Sequence, residues 1–382
     1  GVAVTESLIA AINDNGNSIT SQSHRCRQTD TRILRGARHD RYAALHSGTH
    51  AFRHSLRLPA THPPPRLEAI RFQSQGRAQE VGLMHALKMK YEVVTAEAPL
   101  GEGPVWCPDG TLVISQLSPG GLHRIQPETG KSEKIISVLG GCNSAQLASD
   151  GGFIIANNGG IDFTGFADAL GLDTSKIAYQ PGPPGLQRAF PDGQVITLAH
   201  EGLQAPNDLI VAPDGTVYFT DPPPHGGTQT EGGEGRFWSY SLEAGLKQIA
   251  SGFDFDNGVA FSPEGRLLIV EARGLMWIDP ASGEKEWWIE QLPGESPGDG
   301  FAFDVEGNLY CACPMDHRIR IFDPKGQQTD EIDLGPDAYP TNCCFGGTNM
   351  RTLFTTELAP GRVCAIEGLP HPGLALTPWP TP

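Results

Sequence analysis

The sequence contains no uninterrupted apolar run of about 18 residues, which argues against a helical membrane span. It lacks zinc-type CxxC pairs as well. Its 8 cysteines are scattered, and Cys343-Cys344 and Cys311-Ala312-Cys313 are spaced poorly for ordinary disulfides. They read as reduced core residues of an intracellular protein, so the chain is expected in the cytoplasm. There is no GxSxG elbow, no phosphate-binding loop and no HExxH helix. The Gly-rich segment "PPPHGGTQTEGGEGRF" has no helix signal behind it, and His225 within it reads as a rim residue rather than a base. Positive charge is scarce where a nucleic-acid binder would need it: the net charge is -16, and residues 89–382 carry 16 Lys+Arg against 38 Asp+Glu. Neither nucleic acid nor a membrane is an expected partner, and nothing in the pattern speaks to oligomeric state.

What is present falls into two parts. Residues 1–88 carry 12 Lys+Arg, 11 of them Arg, and hold 7 of the 12 histidines, with little hydrophobic periodicity beyond "SLIAAI". This stretch reads as a targeting-type extension or as non-native coding sequence, outside the fold, with Met84 and Met89 as plausible starts. An Arg-rich arm for nucleic acid is the functional alternative. The folded domain is expected over residues 89–382, where 38% hydrophobic content in the whole chain suffices for a real core.

That second part repeats. The stretches are "EGPVWCPDGTLVIS" from Glu102, "NSAQLASDGGFIIA" from Asn143, "NDLIVAPDGTVYFT" from Asn207, "NGVAFSPEGRLLIV" from Asn257, "DGFAFDVEGNLYCA" from Asp299 and a degenerate "NCCFGGTNMRTLFT" from Asn342. Their starts lie 41, 64, 50, 42 and 43 residues apart, which suits one four-stranded propeller blade each. Each is a hairpin around a tight turn, and most are followed by a second pair of strands. The last repeat has only one further strand, "RVCAIEGL", while an orphan strand "YEVVTA" precedes the first. Pairing the two predicts an all-β, six-bladed propeller of four-stranded antiparallel blades, closed around a central channel.

The register of the repeats singles out six side chains. Glu102, Asn143, Asn207, Asn257, Asp299 and Asn342 each stand seven residues before the turn residue of their hairpin. Asn, Asp and Gly favour the start of a strand for local reasons, because they cap backbone N–H groups and tolerate unusual angles. Six in one register, a Glu among them, point instead to a ring converging on the channel axis. Oxygen donors without His or Cys select hard cations, Ca²⁺ first, with Mg²⁺, Mn²⁺ or Zn²⁺ as the other candidates. A metal there would polarise an ester carbonyl while a neighbouring carboxylate takes a proton from water, which suits hydrolysis of a small ester or lactone.

These residues carry a resemblance. "GEGPVW", "ANNGG" at 156–160, "PND" at 206–208, "NGVAFSPEG" and "TNCCFGGTN" are similar to the regucalcin (senescence marker protein), gluconolactonase and luciferin-regenerating family. The resemblance implies a six-bladed propeller, a divalent metal in the channel and lactonase activity on sugar-acid lactones, with a small lactone as the partner. It implies Glu102, Asn257 and Asp299 as metal ligands, with Asn207 completing the shell or contacting substrate. Asp299 would double as general base, and Asn143 and Asn342 would line the substrate side. One departure is that Ala205 stands where animal regucalcins have a substrate-contacting Arg. The alternatives are an organophosphate or aryl ester hydrolase on the same metal and a propeller that binds calcium or a small ligand without turnover. The insertion "IDFTGFADALGLDTSKIAYQPGPPG" reads either as a lid over the mouth or as an ordinary connection.

Overall fold

The computed structural model describes residues 89–381, apart from 164–166, 168–170, 172–176 and 225–233. The expectations for residues 1–88 and for His225 lie outside the described residues. The strands are β1 (Glu92–Thr95), β2 (Gly101–Trp106), β3 (Leu112–Gln116), β4 (Gly121–Gln126), β5 (Lys131–Ser137), β6 (Cys142–Leu147), β7 (Phe153–Asn157) and β8 (Gly185–Ala189). They continue with β9 (Val195–Ala199), β10 (Leu209–Val211), β11 (Val217–Asp221), β12 (Gly235–Ser241), β13 (Gly245–Phe253), β14 (Asp256–Phe261), β15 (Leu267–Glu271) and β16 (Gly274–Ile278). The last are β17 (Lys285–Ile289), β18 (Phe301–Phe303), β19 (Leu309–Cys313), β20 (Arg318–Phe322), β21 (Gln328–Asp333), β22 (Pro340–Gly346), β23 (Thr352–Glu357) and β24 (Val363–Ile366).

These strands form six four-stranded antiparallel sheets. Five are sequential: β2 to β5, β6 to β9, β10 to β13, β14 to β17 and β18 to β21. The sixth has the order β1-β24-β23-β22, so the orphan strand supplies the outer edge of the last blade and closes the ring as the repeats predict.

Why the second strand of each blade is apolar on both faces follows from this stacking. Leu112 and Ile114 of β3 pack against Phe354 and Val363 of the sixth blade, while Val113 between them packs against Phe153 and Ile155 of the second. Successive side chains of a strand point to opposite faces, and here both faces meet a neighbouring sheet. Corresponding apolar clusters fill the other four junctions. The seven cysteines from Cys107 to Cys364 are all free and buried. No helix among the described residues is long and apolar enough to cross a membrane.

Beyond β24 the chain does more than the repeat pattern foresees. Gly373 and Leu374 bond to Met350 and to Phe303, and Trp379 exchanges backbone bonds with Leu147 and Ser149. The segment thus crosses from the fifth and sixth blades to the second, at the end of the channel where the inner hairpins turn. Trp379 is 3% exposed among Ala148, Leu186 and Trp238, with the Arg188 guanidinium 5.5 Å over its ring.

A buried acid network ties the third blade together. Asp221 is fully buried and accepts bonds from the Gln204 and Ala205 N–H groups and from Trp238 Nε1. Its own N–H donates to Asp256 Oδ2 at 3.0 Å. Burial pushes the Asp221 carboxyl from 3.8 up to about 6. The folded state therefore holds a proton that the unfolded chain releases between about pH 4 and pH 6. Stability from this group is present below pH 4 and is lost as pH rises through about 6, on the order of 3 kcal/mol in all. Denaturant melts of wild type and Asp221→Asn at pH 4.5 and pH 7.5 check this: the difference between the two proteins should shrink at the higher pH, and a constant difference would refute it.

Candidate metal centre

The innermost strand of each blade carries the ring residue where it first meets the channel. Glu102, Asn143, Asn257 and Asn342 lie within β2, β6, β14 and β22, and Asn207 and Asp299 lie two residues ahead of β10 and β18. In four blades the pairing with the second strand slips at this point, between Glu102 and Val105, Cys142 and Ser144, Asp256 and Val259, and Pro340 and Asn342. Such bulges turn a side chain out of the regular alternation, and ring residues of neighbouring blades meet here: Asn143 bonds to Asn207, and Asn257 to Asp299.

The residue after each ring position must let the neighbouring blade pass. A Cβ at Gly300 would stand 1.9 Å from Asn342 Cγ, and one at Gly258 would stand 2.4 Å from the Asp299 carbonyl oxygen. Glycine fills this position at 103, 258 and 300, and Asp208 breaks the pattern in the third blade. Its carboxylate accepts both bonds from Asn342 Nδ2, at 3.1 and 2.9 Å, and is 5% exposed. Reading the ring register alone misses Asp208. Its signal was an acid at a position where the other five blades carry glycine, serine or cysteine.

Three carboxyl groups therefore share the channel. Burial, followed by the charges of Asp299 and Asp208, raises Glu102 well above the usual carboxylate range. Asp299, only partly exposed, is raised by burial and then by Asp208. Burial lifts Asp208 to about 7, opposed by the Asn342 bond. Like charges in a low-dielectric channel cannot all ionise without a compensating cation.

The carboxamides divide by how their oxygens are used. Asn143 Oδ1 accepts from Asn158 Nδ2 at 2.9 Å, Asn207 Oδ1 accepts from Asn143 Nδ2, and Asn342 Oδ1 accepts from the Cys343 N–H at 2.9 Å. Asn257 is different: its carboxamide bonds to Asp299, yet its Oδ1 is buried without a partner. An orphaned buried acceptor costs about 1–3 kcal/mol unless something positive meets it. No three His, Cys, Asp or Glu side chains among the described residues gather tightly enough to hold a metal by themselves. A cation here would draw on a carboxamide oxygen, and the residues fit one: Asn257 Oδ1 beside Asp299, with Glu102 across the channel.

Past the ring, the channel widens into a cavity of about 450 Å³. Asp208 and Asn342 line it at the ring end, Val105, Ile210 and Phe345 along the wall, and residues 374–377 of the crossing segment at the far end. At the mouth, Ile161, Phe163, Ala167 and Ile177 of the insertion pack on Leu100, Leu117 and Ala359, which flank the first and sixth blades. The later part of the insertion is tied down by the Ala178 carbonyl, which accepts from Ser118 Oγ at 2.9 Å, and by the Gln180 carbonyl, which accepts from the Gly140 N–H at 2.9 Å; residues 164–166, 168–170 and 172–176 lie outside the described residues. Ala205 is buried with its N–H on Asp221, so no cationic side chain reaches the mouth from that position.

Comparison with known proteins agrees with this architecture. The chain is 26% identical over 302 residues to the gluconolactonase of Zymomonas mobilis, covering 69% of this chain and 77% of that protein. It is 29% identical over 274 residues to a 6-deoxy-6-sulfogluconolactonase of Pseudomonas putida, covering 69% and 85%. Regucalcin of Agrobacterium tumefaciens superposes with a TM-score of 0.61 at 18% identity, covering 76% of this chain and 97% of that one. A luciferin-regenerating enzyme does so with a TM-score of 0.62 at 16% identity, covering 77% and 100%; these two likenesses concern the fold alone. The family described as SMP-30/Gluconolactonase/LRE-like region matches residues 100–359, which takes in every ring position, and the chain belongs to that family.

Proposed function

We propose that this protein hydrolyses a small sugar-acid lactone with a divalent cation held by Glu102, Asn257 and Asp299. The observation that carries the reading is Asn257 Oδ1, the ring amide oxygen left buried and unpaired, set beside Asp299 and sharing the channel with Glu102. Relatives named gluconolactonase, 6-deoxy-6-sulfogluconolactonase and pentonolactonase supply the substrate class.

When bound, the cation would supply Lewis-acid polarisation of the lactone carbonyl, and Ca²⁺ is the first candidate for an all-oxygen donor set. Glu102 and Asp299 supply the negative charge that holds it. Asp299, in the same channel and bonded to Asn257, is the carboxylate that would take the proton of the attacking water. Asn143, Asn207 and Asn342 line the channel, and the Asn342 amide keeps Asp208 in place. Ring opening needs the leaving alkoxide to be protonated, which the same Asp299 can do after accepting the water proton.

The test is acid release from gluconolactone and xylonolactone. Treatment with EDTA should abolish it and Ca²⁺ or Mn²⁺ should restore it. Metal binding without acid release from any lactone would instead support a non-catalytic binder. Faster turnover of phenyl acetate or paraoxon than of lactones would favour the aryl ester or organophosphate reading.

A further inference from the structure

We propose that Asn158, which lies outside the ring, decides which end of Asn207 faces the channel and holds its Nδ2 there as a hydrogen-bond donor. The amide oxygen and nitrogen of an asparagine are nearly alike in shape, so their placement follows from the bonds they make. Here the bonds have a fixed starting point. The Gly160 N–H donates to Asn158 Oδ1 at 2.9 Å, and a backbone N–H can only donate. Asn158 must then offer Nδ2 to Asn143, whose oxygen accepts it at 2.9 Å. Asn143 in turn offers Nδ2 to Asn207 Oδ1. A two-step relay anchored on one backbone group thus occupies the Asn207 oxygen and leaves its Nδ2 with no partner among the described residues.

The backbone keeps the relay in register. The Asn207 carbonyl accepts from Ser144 Oγ at 2.7 Å, and its N–H donates to the Thr220 carbonyl at 2.9 Å. Asn143, Asn158 and Asn207 are each under 5% exposed, so water does not compete for these bonds. The consequence separates Asn207 from Asn257. Asn257 presents an acceptor and suits a cation, whereas Asn207 presents a donor and suits an oxygen of the substrate, including one that gains negative charge as water attacks. Asn158 is a positioning residue for that donor. What the donor does rests on the lactonase reading; how it is turned does not.

Asn158→Asp inverts the relay. One oxygen of the introduced carboxylate keeps the Gly160 N–H, and the other stands where the donor was, so Asn143 and then Asn207 must flip and Asn207 turns its oxygen inward. With gluconolactone, Asn158→Asp and Asn207→Ala are each expected to lower kcat about 10²-fold, with KM near wild type. The double variant should lose no more than either single one. In a Mn²⁺ titration, Asn207→Ala should bind as the wild type does. Weakened Mn²⁺ binding by Asn207→Ala would make its oxygen a ligand and overturn the proposal, as would an unchanged kcat in Asn158→Asp or additive losses in the double variant. If the wild type neither hydrolyses a lactone nor binds Mn²⁺, the functional reading fails and the relay is decided by side-chain amide ¹H–¹⁵N spectra. Asn158→Asp should then shift the Asn207 amide resonances and leave those of Asn257 in place; an unmoved Asn207 overturns the proposal.

Discussion

Asp299→Asn is expected to lower kcat/KM for lactone hydrolysis about 10³-fold, within the range that a positioned general base contributes. The substitution keeps the shape of the side chain and its place ahead of β18, where the Asp299 N–H bonds to the Ala312 carbonyl at 2.9 Å. What it removes is one negative charge among three acids and the basic site itself. The two losses have separate signatures in thermal melts. Without metal, the variant should be as stable as the wild type or more so, because Glu102 and Asp208 lose a repulsive neighbour. With Ca²⁺, the wild type should gain stability by mass action and the variant should not. An Asp299→Asn protein that keeps wild-type turnover would remove Asp299 from the chemistry altogether.

Trp379→Ala is expected to cost about 3–5 kcal/mol, the range for deleting a fully packed aromatic side chain. Its ring fills the space between the second and third blades beside Leu186 and Trp238, and covers that junction at the channel's far end. The loss reaches further than one cluster. Gln146 Nε2 bonds to the Thr377 carbonyl, and the same Gln146 accepts from the Val211 N–H at 3.1 Å. Loosening the crossing segment therefore frees a side chain that ties the second blade to the third. Chemical denaturation measures the effect directly: Trp379→Phe should recover much of the stability, and an alanine variant within about 1 kcal/mol of wild type, well under that range, would show that the segment is not anchored there.

The propeller was legible because its signal is periodic. Turn residues at fixed offsets mark each inner hairpin, and the orphan "YEVVTA" had only one partner that would close the ring. The ring residues were legible by the same counting, since equivalent positions in six blades meet on one axis. Other features were hidden for a physical reason. Asp208 and Asn158 act through contacts made only in the folded chain, Asp208 with Asn342 and Asn158 with Asn143, and neither is one of the six counted ring positions. The orientation of a carboxamide is likewise invisible in a sequence, because it depends on which backbone N–H lies nearby. The segment after β24 has no periodicity, and its role depends on a surface that exists only after the blades have assembled.

The pairing of β1 with β24 also sets an order of events during synthesis. Glu92 must find Ala365, so about 270 residues separate two strands that lie side by side. Five blades can assemble from local hairpins as they leave the ribosome, but the sixth cannot form until its inner three strands have emerged. Throughout that interval β1 is an unpaired strand, and the third strand of the sixth sheet has no edge partner when it arrives. Joining them is a slow, long-range step, and the window before it is when this protein is most open to swapping its first strand with another copy.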